Sequence, residues 1–155
     1  MIEDIRRDYT VPLQAEEAFG TFVGDFSRWW PREDTRGGDA LEWIGIEPRV
    51  GGRCFERGPH GFQCDWGRVV AWEPPHRLVF TWQIGFGREP VPESTRASEI
   101  EVRFEPADPG SSRLLFEHRG IDRHGAQAAD YRAALDSDEG WDLILGRYLD
   151  LAGRS

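Results

Sequence analysis

One histidine stands out among the residues that could do chemistry. His118 lies in segment 113–119, where alternation places it on the same side of a predicted strand as Leu114 and Phe116. That side is covered, and a covered imidazole needs a hydrogen-bond partner. One interpretation makes His118 a ligand-binding group or general base in a cavity. The other makes it a core histidine bonded to Tyr148, to a tryptophan N–H group or to a buried water.

Tryptophans form the second candidate set. Trp66, Trp72 and Trp82 lie on predicted neighbouring strands, and Trp141 lies on a predicted C-terminal helix. If they share the inner face, they line a pocket suited to a flat apolar ligand. The alternative is that they fill the core, which we expect for at least two of the four. We do not predict which side chains of residues 66–75 face the core and which face solvent, because a bulge there would shift the register of the strand.

Other polar residues give weaker signals. Arg53, Glu56, Arg68 and Gln83 could reach the mouth of a cavity, but we expect solvent exposure for such side chains. No two carboxylates have a spacing that singles them out for acid–base catalysis.

The sequence predicts neither a metal site nor a cofactor site. The four histidines lie in separate segments, and His60 and Cys64 are four apart across a turn, which is a poor match to zinc-ligand patterns. Residues 85–87, “GFG”, lack the third glycine and helix start of a dinucleotide fingerprint. Schiff-base chemistry is excluded because the chain contains no lysine.

Composition narrows the classes of partner. The chain has 28 acidic and 19 basic residues and a formal charge of −9, which argues against nucleic acid and anionic membranes as partners. The length of 155 residues predicts one domain over 1–155. We find no leader peptide and no membrane-spanning segment, and therefore expect the protein in the cytoplasm. Cys54 and Cys64 are predicted to be reduced, buried thiols.

The elements that must position these residues follow from periodicity and turn signals. Residues 6–11 read as a strand, and Ala15, Ala18, Phe19 and Phe22 mark a helix that ends at Gly24. Six further strands are predicted at 41–46, 53–57, 62–72, 78–84, 98–105 and 113–119. The loop at 85–93, “GFGREPVPE”, is long enough to act as a lid.

The C-terminal part reads as helical. A short helix is predicted within 125–135, and Asp136 with Glu139 resembles a capping box for the helix that follows. That last helix carries a broad apolar stripe of Trp141, Ile144, Leu145, Tyr148, Leu149 and Ala152. The fold class is therefore α+β in the order β-α-α-β6-α, with the last helix lying across the apolar face of the sheet.

The stretch “DFSRWWP” (25–31) places two tryptophans side by side after the first helix. On a short helix, neighbouring side chains project about 100° apart. We expect one indole to close a cavity against the C-terminal helix and the other to be partly exposed, at a pocket rim or a dimer contact.

The ordered set of motifs resembles one family. The chain is similar to the START-like, helix-grip (SRPBCC) superfamily, in the branch of homologues of the heat-shock-protein-90 ATPase activator. The matching pieces are “VPLQAEEAF” (11–19), “RWWP” (28–31), “EPRVGGRC” (47–54), “WGRVVAWEPPHRLVFTW” (66–82), “LLFEHRG” (114–120) and “GWDLILGRYLDL” (140–151).

This resemblance implies a curved, antiparallel seven-stranded sheet wrapped around a long C-terminal helix, with a cavity between them for a small hydrophobic or amphipathic molecule. The implied function is ligand binding. The alternatives are a cavity enzyme of cyclase, dehydratase or hydrolase type that uses His118, and a co-chaperone or stress-response partner. A separate N-terminal domain of the eukaryotic activators is not expected here, and a homodimer is plausible. The predicted ligand-binding set is Trp30, Trp66, Trp82, Phe104, Phe116, His118, Trp141, Leu145 and Tyr148.

Overall fold

A computed structural model describes residues 2–154 as a seven-stranded sheet with four helices. The strands are β1 Ile5–Val11, β2 Trp43–Ile46, β3 Arg53–Arg57, β4 Gln63–Glu73, β5 Arg77–Trp82, β6 Ser98–Pro106 and β7 Ser112–Arg119. The helices are α1 Ala15–Gly24, α2 Phe26–Trp29, α3 Ala128–Asp136 and α4 Trp141–Ala152. All seven predicted strands are therefore present, with ends that move by at most two residues.

The sheet is antiparallel throughout, in the order β1-β7-β6-β5-β4-β3-β2. It curls around the C-terminal helix, so the predicted helix-grip architecture is confirmed. The pairing of β4 with β5 shifts register between Val69 and Ala71. The bulge turns Val70 out to solvent while Val69 stays buried, and this is why alternation alone could not assign sides there.

The concave face holds the core. In β6 the side chains of Ile100, Val102 and Phe104 are buried, as the alternation predicts. Helix α4 packs its apolar stripe against this face, and Tyr148 Oη donates a hydrogen bond of 2.7 Å to the carbonyl oxygen of Ala18 in α1. Burial of a tyrosine requires such a partner for its hydroxyl.

The predicted capping box at the start of α4 is wrong. Asp136 is the last residue of α3, and its carboxylate accepts hydrogen bonds from Arg7 and Arg132. Helix α4 begins after Gly140, where a side chain would meet the carbonyl oxygen of Leu135 at 2.1 Å. The close approach of the two helices, and not a side-chain cap, therefore sets this junction.

Two predictions of burial also need correction. The sequence predicts that Trp29 is partly exposed if Trp30 closes a cavity. Trp29 is instead 3% exposed, and its indole N–H donates to the carbonyl oxygen of Phe22 at 3.0 Å. Cys54 is a buried free thiol as expected, but Cys64 is only partly buried. Trp29 is buried because the tight turn into α2 brings its ring against Phe22 and Tyr148, which also contact each other.

Within residues 2–154, no helix is both long and apolar enough to cross a membrane.

Candidate functional site

A cleft of about 220 Å³ opens where the sheet, the α3–α4 junction and the loop after β5 meet. Its apolar wall contains the tryptophans Trp30, Trp66 and Trp82. Trp30 follows α2, where its backbone N–H donates to the carbonyl oxygen of Phe26 at 3.0 Å. Trp66 and Trp82 come from the neighbouring strands β4 and β5. Three distant segments thus bring their indoles together.

The rings in this wall have a defined arrangement. Trp30 and Trp66 are almost parallel, at 18° with centroids 5.9 Å apart, and Phe26 stacks on both. Trp82 is inclined to each of them, by 47° to Trp30 and 66° to Trp66. These contacts fix the indole planes, because offset stacked and edge-to-face pairs both stabilise aromatic clusters.

Tyr131 of α3 fixes the third indole. Trp82 Nε1 donates to Tyr131 Oη at 2.7 Å, and Tyr131 Oη donates to the carbonyl oxygen of Ile84 at 2.7 Å. Burial raises the pKa of the Tyr131 hydroxyl, so it remains protonated. The Tyr131 hydroxyl therefore holds Trp82 and Ile84, at the start of the loop after β5, in place.

The opposite side of the cleft is polar. Glu56 of β3 is 4% exposed, and its carboxylate accepts the backbone N–H groups of Arg36 and Gly37 at 3.2 and 2.8 Å. Both oxygens are therefore used to hold the loop at 35–38. Glu139, which also lines the cleft, is exposed.

Asp34 is the polar group whose bonding is incomplete. One carboxylate oxygen, Oδ1, lies 3.4 Å from Arg88 Nη2, while the other, Oδ2, is buried and has no hydrogen-bond partner within residues 2–154. Desolvation by burial raises the pKa of this carboxyl, partly offset by the charge of Arg88. Asp34 is thus a half-buried carboxyl with a free acceptor oxygen.

Two buried indole N–H groups in the cleft wall also lack a hydrogen-bond partner among the described residues. In the described part of the chain, the buried side-chain polar atoms without a partner are Trp30 Nε1, Trp66 Nε1, Asp34 Oδ2 and Ser112 Oγ. Three of these four belong to residues that line one cleft. An unpaired buried donor or acceptor costs about 1–3 kcal/mol, and such costs mark places where a ligand can supply the missing bond.

His118 lies behind the cleft wall and not in it. It is fully buried, and its Nδ1 accepts the indole N–H of Trp141 at 3.0 Å. Its Nε2 lies 2.6 Å from Ser98 Oγ, which lies 2.8 Å from His124 Nε2. Because an indole can only donate, the proton of neutral His118 is on Nε2 and goes to Ser98, whose hydroxyl then donates to His124.

This series of hydrogen bonds satisfies both ring nitrogens of His118. Burial, with a smaller contribution from His124, lowers the pKa of His118 to about 3, so the ring is neutral at ordinary pH. The geometry is that of the core histidine bonded to a tryptophan N–H, which was one of the two interpretations from the sequence.

The predicted ligand-binding residues divide into two groups. Trp30, Trp66 and Trp82 line the cleft. The other six lie in the packed interior outside its lining, namely Phe104, Phe116, His118, Trp141, Leu145 and Tyr148. Of the four tryptophans considered together in the sequence, Trp72 and Trp141 pack in or against the core, with Trp72 on Phe19 and Trp141 on Phe116.

Sequence reasoning missed several lining residues. Asp34, Tyr131, Phe86 and Arg88 come from loops and from the short helix α3, where no periodic pattern indicates a side. Arg53, Arg68 and Gln83 lie outside the lining, whereas Glu56 is part of it. Among residues 2–154, no cluster of three histidine, cysteine or carboxylate side chains could hold a metal ion.

Comparison with known proteins agrees with this architecture. The family model “Activator of Hsp90 ATPase homolog 1-like protein” matches residues 16–151. An anthrahydroquino-γ-pyrone synthase, Txn09, is 35% identical over 97% of both chains, with a TM-score of 0.68. The self-sacrificing resistance protein CalC from Micromonospora echinospora is 26% identical over 97% of this chain and 94% of its own, with a TM-score of 0.65. No curated protein matches the chain significantly.

Proposed function

We propose, given that the chain belongs to the activator of Hsp90 ATPase homologue 1-like family, that it binds a flat, oxygen-bearing aromatic molecule in the cleft. The observation that carries this proposal is the pair of unpartnered N–H groups of Trp30 and Trp66 in an otherwise apolar tryptophan wall. A planar ring system complements the parallel indoles, and a carbonyl or hydroxyl oxygen on that ring accepts the free N–H donors.

One relative supports the same class of ligand. The name of the 35% identical protein describes a synthase of an anthrahydroquinone-fused pyrone, which is a flat ring system with several oxygens. This similarity covers nearly the whole of both chains.

The test is a tryptophan-fluorescence titration with alizarin, which is 1,2-dihydroxyanthraquinone. We expect saturable quenching, because the probe stacks beside three of the tryptophans. Ala134 lines the cleft mouth on α3 and is exposed, so Ala134→Trp should block the cleft without disturbing the core and weaken affinity at least about tenfold. The matched control is Ala133→Trp, one residue away, exposed and outside the lining. Equal affinity of the two variants would refute binding in this cleft.

An enzyme acting in the same cleft is a second candidate, and the observation that favours it is the 35% identity to a synthase. The His118 version of this hypothesis has little geometric support, because both ring nitrogens are bonded within the core. Turnover can be tested by incubating the protein with an anthrahydroquinone that carries an open-chain ketone and following ring closure by mass spectrometry. Activity that persists in His118→Gln would remove that residue from the mechanism. A co-chaperone role has only the family name as its basis and stays a prediction.

A further inference from the structure

We propose that Asp34 accepts the proton of a ring hydroxyl on the bound aromatic ligand, while Trp30 and Trp66 donate their indole N–H groups to the ligand oxygens. This inference rests on the proposed function, because it assigns chemistry to the same cleft. It makes the ligand class more specific: an aromatic ring system that carries a hydroxyl group beside a carbonyl or second hydroxyl oxygen.

Asp34 is the candidate because the other buried titratable groups nearby are committed or remote, and Glu139, which also lines the cleft, is exposed to solvent. Glu56 uses both oxygens on backbone N–H groups, and Tyr131 Oη both accepts and donates a bond. His118 is closed into the core by Trp141 and Ser98. Asp34 alone in this group keeps a buried oxygen with no hydrogen-bond partner in the described part of the chain.

The burial of Asp34 suits it to this role. A carboxylate that has lost part of its hydration is a stronger base, and burial raises the pKa of Asp34. The charged groups that act on Asp34 or line the cleft with it come from several elements. They are Glu33 on its own turn, Arg88 on the loop, Arg147 on α4, and Arg36, Glu56 and Glu139 around the cleft.

The step conserves atoms and charge. The ligand O–H bond breaks, its electron pair stays on the ligand oxygen, and a new O–H bond forms on Asp34. The negative charge moves from the carboxylate to the ligand, where two indole N–H donors stabilise it. The product is an aryloxide, which is the nucleophile required for forming a carbon–oxygen bond. No metal, redox partner or second substrate takes part.

The experiment follows the protonation state of bound alizarin by its visible absorbance, since the phenolate absorbs at longer wavelength than the phenol. The complex is examined about one pH unit below the pKa of the free probe, where about nine-tenths of it is phenolic in solution. Proton release on binding is measured in parallel by calorimetry in buffers of different ionisation enthalpy. The wild-type protein should form the phenolate band without releasing a proton, because Asp34 retains it.

Variants separate this proposal from simple binding. Asp34→Asn should lower the phenolate fraction about tenfold and couple the remaining phenolate to release of a proton, whereas Asp34→Glu should restore part of the wild-type band. Trp30→Phe and Trp66→Phe should each weaken the band by removing one donor. The controls are Asp39→Asn, exposed in the same loop, and Trp72→Phe, outside the cleft.

The possible results are distinguishable. Failure of the wild-type protein to bind alizarin would overturn the proposed function and this inference together. Binding of alizarin in its phenolic form, or an unchanged band in a folded Asp34→Asn variant, would overturn the inference and leave the binding function standing. Circular dichroism establishes that each variant is folded before its band is compared.

Discussion

His118 and Asp34 are both polar groups beside the tryptophan cluster, but their surroundings give them different roles. His118 is bonded at both nitrogens within the core, through Trp141 and Ser98. Asp34 keeps one buried oxygen unpaired at the cleft. A satisfied polar group contributes to the stability of the fold, whereas the unsatisfied oxygen of Asp34 is the feature on which the proposed ligand contact rests.

The burial of His118 predicts a dependence of stability on pH. Its pKa is about 3 in the folded protein and 6.5 in the unfolded chain, so the unfolded chain binds the proton more tightly. The contribution of His118 to the free energy of unfolding is complete above pH 6.5. It decreases as the pH falls below 6.5, by up to about 1.4 kcal/mol per pH unit. His124 is partly buried, and burial also lowers its pKa, so it acts in the same direction.

Urea denaturation at pH 7 and pH 5 measures this effect. We expect the wild-type protein to lose about 1–2 kcal/mol between these values, and His118→Gln to show a smaller loss because the titrating ring is gone. The exposed histidine at position 76 provides the control, since His76→Gln should retain the wild-type difference. A difference that His118→Gln leaves unchanged would contradict this explanation.

At the scale of elements, the loop after β5 is tied across the cleft to the turn at 32–34. Arg88 donates to the carbonyl oxygen of Glu33 at 3.1 Å and lies 3.4 Å from Asp34, and Arg36 donates to the carbonyl oxygen of Arg88. Phe86 packs on Tyr131 with centroids 5.5 Å apart. The loop that the sequence suggested as a lid is therefore held over the cleft mainly by exposed polar contacts, which open at low cost.

We predict that Arg88→Ala accelerates exchange of a bound ligand. Loss of these ties should raise both the association and the dissociation rate of alizarin about tenfold and change the equilibrium constant less. Stopped-flow fluorescence measures both rates. Arg96→Ala, exposed further along the same loop, should behave as the wild type; rates unchanged in Arg88→Ala would show that the loop does not control access.

At the scale of the whole molecule, one arginine joins the first strand to the last two helices. Arg7 donates to Asp142 at 2.8 Å and to Asp136 at 2.7 Å, and its side chain is 19% exposed. Tyr9 donates to the same Asp142 carboxylate. Edge strand β1 is thus linked to both α3 and α4, which carry one side of the cleft.

Replacing this arginine should destabilise the fold. Arg7→Gln removes two charge-assisted hydrogen bonds and should lower the free energy of unfolding by about 2 kcal/mol. Its neighbour Arg6 points to the other face and is 71% exposed, so Arg6→Gln should cost less than about 0.5 kcal/mol. Chemical denaturation of the two variants provides the comparison, and equal losses would argue against the link.

Much of the fold was predictable from local pattern. The alternation in β6 and β7, the stripe on α4 and the turn signals between strands depend on neighbouring residues, and the observed elements follow them. The three-residue spacing of Asp136 and Glu139 wrongly predicted a capping box because Arg7, distant in sequence, binds Asp136. Likewise, Trp29 is buried by contacts with residues on two different helices.

The sequence by itself determined the α+β class with the last helix across the sheet, the segments that carry the tryptophans and the exclusion of lysine chemistry, because these depend on residue type and local spacing, while the curved seven-stranded sheet was implied by the family resemblance. The tertiary structure alone decided which polar groups are satisfied. His118 has hydrogen-bond partners 20 and 23 residues away, whereas Asp34 keeps an unpaired oxygen. Hydrogen bonding across a fold depends on where distant segments meet, and that information is absent from the local pattern of either residue.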